Sequence, residues 1–170
     1  MLRLIGAALI LAGGSGVGIG AARVLKHRSE TLSSFLAALD QMEAELTFRL
    51  TPMPELLLRL SRETKGPVSE FFFHCREGLS SLGEEPFSKV WNRALQEESL
   101  ALHPEDRIPL EQLGAVLGQY DVEGQKNAME GIRYRLGICL DTARESQGKI
   151  GRVYRALGIS ASVLCVLLFL

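Results

Sequence analysis

The chain has 170 residues, 46% of them apolar and 23% charged, with 19 basic against 20 acidic side chains. That is material for about one ordinary domain, too apolar for a disordered chain and too evenly charged for a histone-like polycation. Three widely spaced cysteines, Cys75, Cys139 and Cys165, supply neither a disulfide scaffold nor a zinc ribbon.

The distribution of charge says more than its sum. Arg3, then Arg23, Lys26 and Arg28, then Lys149, Arg152 and Arg155 lie in three segments that contain no acid. Between them, residues 29–148 hold 12 basic and 20 acidic side chains. An acidic domain bracketed by basic collars is a poor ligand for phosphate backbones, so no nucleic-acid partner is expected.

Residues 4–22 carry no charge, and as a helix they span about 28 Å, close to a bilayer core. The closing apolar run, residues 156–170, reaches about 22 Å as a helix, and an interfacial Arg155 that snorkels makes up most of the shortfall. Both collars place the intervening residues on the cytoplasmic side. The expected layout is an N-terminal transmembrane helix over 1–22, a cytoplasmic domain over 23–155 and a C-terminal transmembrane segment over 156–170. A cleaved signal peptide is the rival for the first segment; three basic residues downstream against one upstream oppose translocation.

Within the first segment, Ala8, Ala12, Gly16 and Gly20 recur every four residues. Such a small-residue stripe lets another membrane helix approach closely. Gly16-Val17-Gly18-Ile19-Gly20-Ala21 also imitates a dinucleotide loop, but no second β run comes after it, so no cofactor is expected.

The middle reads as helices throughout. Leu32, Phe35, Leu39, Met42 and Leu46 alternate steps of four and three down one helix, which Thr51-Pro52-Met53-Pro54 ends. A short helix over 54–63 comes next, then one over 67–82 with Pro67 at its first position. Another runs from Phe87 to about residue 99, and His103-Pro104-Glu105-Asp106 reads as a loop. A short helix then stops at Gly118, and Asp121 is placed to cap the last one. In that last helix Met129, Ile132, Leu136, Cys139, Ala143, Ser146, Ile150, Val153 and Leu157 keep a three-four spacing that calls for a partner, most simply the first long helix lying antiparallel. The fold class is therefore all-α: an antiparallel bundle of about six helices, whose two long members continue into the membrane segments.

Chemistry is scarce. No metalloprotease, redox, nucleophile-elbow or P-loop motif occurs, and no catalytic, metal or small-molecule site is expected. His74 and Cys75 are adjacent and diverge on a helix, so an enzyme built on them is the weaker reading. Phe71-Phe72-Phe73 reads as core, with one ring left over as an exposed contact.

The stretches Leu36-Ala37-Ala38-Leu39-Asp40-Gln41-Met42-Glu43-Ala44-Glu45-Leu46 and Thr51-Pro52-Met53-Pro54-Glu55-Leu56-Leu57, with the tail Lys149-Ile150-Gly151-Arg152-Val153-Tyr154-Arg155, resemble the stage III sporulation protein AB family. So do the opening Leu2-Arg3-Leu4-Ile5-Gly6-Ala7 and the spacing of Leu113, Gly114, Leu117, Gly118, Asp121 and Gln125. The resemblance implies a component of the mother-cell membrane complex that joins mother cell and forespore during endospore formation. It also implies a soluble part similar to the platform domains of type II secretion and type IV pilus systems. The implied partners are the cytosolic ATPase, stage III sporulation protein AA, and other membrane components. Candidate partner-binding residues are Glu43, Glu45, Arg49, Asp121 and Gln125. Thr51, Pro52, Gly114 and Gly118 are candidate structural residues, as turn, packing or capping positions. The alternative is a secreted or anchored helical bundle with an unrelated binding role.

Overall fold

A computed structural model describes residues 24–81, 85–117 and 122–169, and all regular structure among them is helical, in six α-helices without a strand. α1 covers residues 24–44 and ends in a π-helical turn, Glu45–Arg49. α2 is Met53–Glu63, α3 Pro67–Glu77, α4 Phe87–Leu95, α5 Pro104–Val116 and α6 Val122–Phe169. Two short 3-10 turns complete the helical structure: Gly78–Ser81 extends α3, and Glu98–Leu100 lies between α4 and α5.

Two compact units make up the chain: Arg28–Asp141, and a second whose described residues are 24–27 and 142–169. In the first unit the expected stripe of α1 is buried at Leu32, Phe35, Leu39 and Met42, joined by Ala38. Leu46, expected next, is only half-buried, and Glu45 is buried instead. The π turn explains the exchange, because its wider winding shifts the side-chain register that a 3.6-residue period predicts.

Pro67 opens α3 after Gly66, whose φ of +60° and ψ of −142° favour a residue without a Cβ. α3 then buries Val68, Phe71, Phe72 and Cys75, whereas Phe73 is 45% exposed. Phe35, Phe71, Phe72 and Trp91 meet edge-on, with the Phe71–Trp91 centroids 4.7 Å apart and the planes at 87°. Edge-to-face packing aims ring hydrogens at a neighbour's negative face, and each such pair adds about 1 kcal/mol beyond area burial. This cluster joins α1, α3 and α4 at the centre of the unit.

Trp91 also fixes α5. Its indole N–H donates to the Leu110 carbonyl at 2.8 Å. A Cβ on Gly114, one turn further, would lie 2.3 Å from Trp91 Cδ1. Gly114 is thus a packing position, required for the close approach of α5 to the tryptophan.

Helix ends differ from the sequence reading in three places. α4 stops at Leu95, four residues early, and Gln96 begins a turn. Residues 104–106 form the first turn of α5 rather than a loop, with Pro104 at its first position. α3 stops at Glu77 and gives way to the 3-10 turn instead of running to 82 as one helix, while α1 ends where expected, just before Thr51 and the prolines, at a left-handed Leu50 (φ 51°, ψ 38°) whose N–H returns to the Glu45 carbonyl.

α6 buries Met129, Ile132, Leu136, Leu140 and Ala143. The expected seam runs through Cys139, which is half-buried, and on to Val153, which is 55% exposed. The apolar face is thus sealed over its first part, and Leu140 has the deeper place expected for Cys139. In the second unit, Lys149 and Glu145 pair at 2.7 Å one turn apart on α6. Among the described residues no helix is long and apolar enough to cross a membrane. Residues 1–22, with the stripe Ala8, Ala12, Gly16 and Gly20, lie outside the described residues.

Candidate functional site: ion-pair hubs and an exposed corner

Helix order brings three sets of charged side chains together. The deepest joins the start of α1 to the start of α5. Arg28 donates through Nε to Asp106 Oδ2 and through Nη2 to Asp106 Oδ1, both at 2.7 Å. The side chains are 5% and 0% exposed. Asp106 Oδ2 also accepts the His103 backbone N–H at 2.9 Å, so the same carboxylate caps α5. The two-pronged geometry suits a planar guanidinium and raises the Arg28 pKa through that hydrogen bond, against the opposing effect of burial. Cys139 of α6 lies beside the pair: burial first, then the Asp106 charge, pushes its thiol pKa up.

A second set ties α1 to α6. Arg133 pairs with Asp40 at 3.0 Å and with Glu43. Asp40 and Glu43, late in α1, thus meet Arg133, while Arg28, early in α1, stands near the later Cys139. The two helices therefore run antiparallel in this unit.

The third set lies at the corner between α1 and α2. Glu45 Oε1 accepts from Arg49 Nη1 at 2.7 Å and Arg59 Nη1 at 2.8 Å, and Oε2 accepts from the Thr51 hydroxyl at 2.6 Å. The Glu45 carbonyl takes the backbone N–H groups of Leu50 and Thr51. The Thr51 hydrogen bond, with both arginines, holds the Glu45 carboxyl below its ordinary pKa despite its burial. Pro52 is the N-cap of α2, and its carbonyl accepts the N–H groups of Glu55 and Leu56 at 3.0 Å each.

Around this hub the surface is apolar and open: Phe48 is 83% exposed and Leu50 72%. The sequence candidates Glu45, Arg49, Thr51 and Pro52 are thus one structural device, with Glu45 as its buried acceptor and Arg49 as its exposed edge. Glu43 belongs to the α1–α6 contact. Gln125 is half-buried and donates to the Val116 carbonyl at 3.3 Å. Gly118 and Asp121 lie outside the described residues.

Sequence reasoning missed Arg28, Asp106, Arg59 and Arg133. Asp106 had a local signal, since Pro104 followed by two acids is a helix start. Nothing local marks Arg28 as its partner 78 residues away.

Cys75 is buried, and both burial and the Glu97 carboxylate drive its thiol pKa strongly upward. Both effects oppose a thiolate nucleophile. His74 instead lies 3.7 Å from Glu97. Among the described residues, no group of three or more His, Cys, Asp or Glu side chains could hold a metal ion.

The described residues thus form a helical bundle fixed by an aromatic core and ion-pair hubs, with an apolar corner facing outward. Residues 3–170 match the family model of stage III sporulation protein AB, and the chain belongs to that family. Stage III sporulation protein AB of Bacillus subtilis (strain 168) is 26% identical over 172 residues, covering 100% of both chains. A solved structure, also described as stage III sporulation protein AB, aligns with TM-score 0.66 and 23% identity over 72% of this chain and 98% of its own. That likeness shares the fold.

Proposed function

We propose that this sporulation protein is a non-enzymatic, membrane-anchored platform that docks a cytosolic ATPase through its helical domain. The reading rests on the all-helical domain lying between two charge-free apolar runs, each flanked by basic residues. Residues 1–22 are the membrane-spanning anchor, residues 156–170 a shorter apolar anchor that needs Arg155 at the interface to reach across, and residues 23–155 lie in the cytoplasm of the mother cell. The partner is stage III sporulation protein AA, alongside other membrane components of the channel complex. Helix faces carry the contact, and ATP hydrolysis belongs to the partner.

Arg28 is a collar residue in the sequence and a buried pair in the fold. Orientation is set during insertion, before the Asp106 partner has folded against it, so its charge still counts toward the cytoplasmic side. Protease treatment of intact cells carrying an epitope tag within residues 82–84 tests the layout. The tag is expected to survive until the membrane is opened; cleavage from outside would overturn the reading.

A further inference from the structure

α5 and α6 pack side by side with a gap between them. Their contacts fall in reverse order, Asp106 beside Cys139, Gln112 on Arg135 and Val116 on Gln125, so the two helices run antiparallel. Between them lies an open groove of about 380 Å³, walled by Ala115 of α5 and by Ala128 and Gly131 of α6 among others. Gly131 is exposed, and a Cβ there would meet nothing within 4 Å. Glycine weakens a helix interior relative to alanine, and the packing of this unit gives no reason for it at 131.

Among the described residues, Arg135 is the one charged side chain that lines the groove. Its Nη1 donates to Gln112 Oε1 at 2.8 Å, a neutral amide, and among the described residues it has no carboxylate partner. The nearest acids in sequence, Glu111 and Glu130, sit about 100° around their helices from Gln112 and Gly131 and line none of the groove. Beyond Arg135 the same two faces carry Ile108 and Ile138, 54% and 51% exposed.

We propose that the α5–α6 groove is the docking site for a helix of a protein partner, which lays its own apolar side chains against Gly131 and brings a carboxylate to Arg135. The proposal rests on the platform reading, and the partner is the ATPase named there. Small residues on both walls let a helix approach closely, as in other helix-in-groove contacts. Charge selects the occupant: a guanidinium held only by a neutral amide gains a charge-assisted, two-pronged bond when a carboxylate arrives. A second copy laid on the same face would bring another arginine and no acid.

Binding of purified stage III sporulation protein AA to the full-length chain in lipid nanodiscs tests this with three variants. Gly131→Leu fills the groove where the fold leaves space, and Arg135→Glu reverses its charge; each is expected to weaken binding at least tenfold. Lys126→Glu makes the same change of charge about 140° around α6 from Gly131 and is expected to leave binding unchanged. The unfolding midpoint of Gly131→Leu is expected at or above that of the unmodified chain, because leucine favours a helix. A photoreactive benzoyl-phenylalanine placed at Ile108 is expected to give an adduct with the ATPase, and one placed at Phe73 of α3 none. Binding kept by Gly131→Leu or Arg135→Glu, or lost equally by Lys126→Glu, overturns the docking site and leaves the platform reading standing. Adducts from position 108 with lipid or with a second copy of the chain also overturn it. Failure of the unmodified chain to bind the ATPase at all removes both.

Discussion

Arg28 and Asp106 form a two-pronged ion pair between the starts of α1 and α5, with both side chains withdrawn from solvent. Their mutual attraction must offset the loss of hydration of two charges, so removing one partner costs more than removing both. Arg28→Met or Asp106→Leu alone should destabilise the fold by about 3–5 kcal/mol, whereas the double variant should recover part of that loss, short by about 1 kcal/mol for the α5 cap that Asp106 also supplies. Thermal unfolding of the four proteins in one detergent gives the coupling directly. Additive losses would show that the pair is not the connection described.

Gly114 tests the seat of Trp91. A methyl group there would meet Cδ1, Cγ and Nε1 of the ring at 2.3, 2.5 and 2.9 Å. The ring cannot swing aside without breaking its bond to the Leu110 carbonyl. Gly114→Ala should therefore cost about 1–3 kcal/mol by overpacking and shift the emission of the single tryptophan. An unchanged melting temperature would mean that α5 moves freely relative to α4.

Glu45 should make the fold sensitive to acid. Its folded pKa lies below the ordinary value, so its contribution is complete above the unfolded pKa of about 4.3 and fades as pH falls through the folded pKa. Between pH 7 and pH 3, the wild-type chain should lose more stability than Glu45→Gln, measured by unfolding midpoints across that range. Parallel curves would exclude Glu45 as a hub.

Thiol labelling reports on the α3 face. Burial and Glu97 keep Cys75 protonated, so in a Cys165→Ser background it should resist alkylation at pH 8 until the domain unfolds. Cys139, half-buried, should react first. Rapid labelling of Cys75 in the folded chain would contradict its position in the core.

Much of this architecture was legible in the sequence. The apolar stripe of α1 and the prolines that open α2 and α3 obey local rules of helix period and capping. The exchange of Leu46 for Glu45 escaped the reading because a π turn breaks the period on which that reading depends. The start of α5 does carry a local signal, Pro104 followed by two acids, which the loop reading passes over; its partner Arg28, 78 residues away, leaves no local trace. At the candidate site, Glu45, Arg49 and Thr51 were picked out individually. Their union around one carboxylate, with Arg59 arriving from α2, required the fold.

Equilibrium binding of stage III sporulation protein AA to the full-length chain in lipid nanodiscs, at physiological salt, addresses the platform role most directly. Saturable binding is expected, with ATP turnover from the ATPase and none from the chain alone. Absence of binding, or hydrolysis by the chain without its partner, would contradict the account.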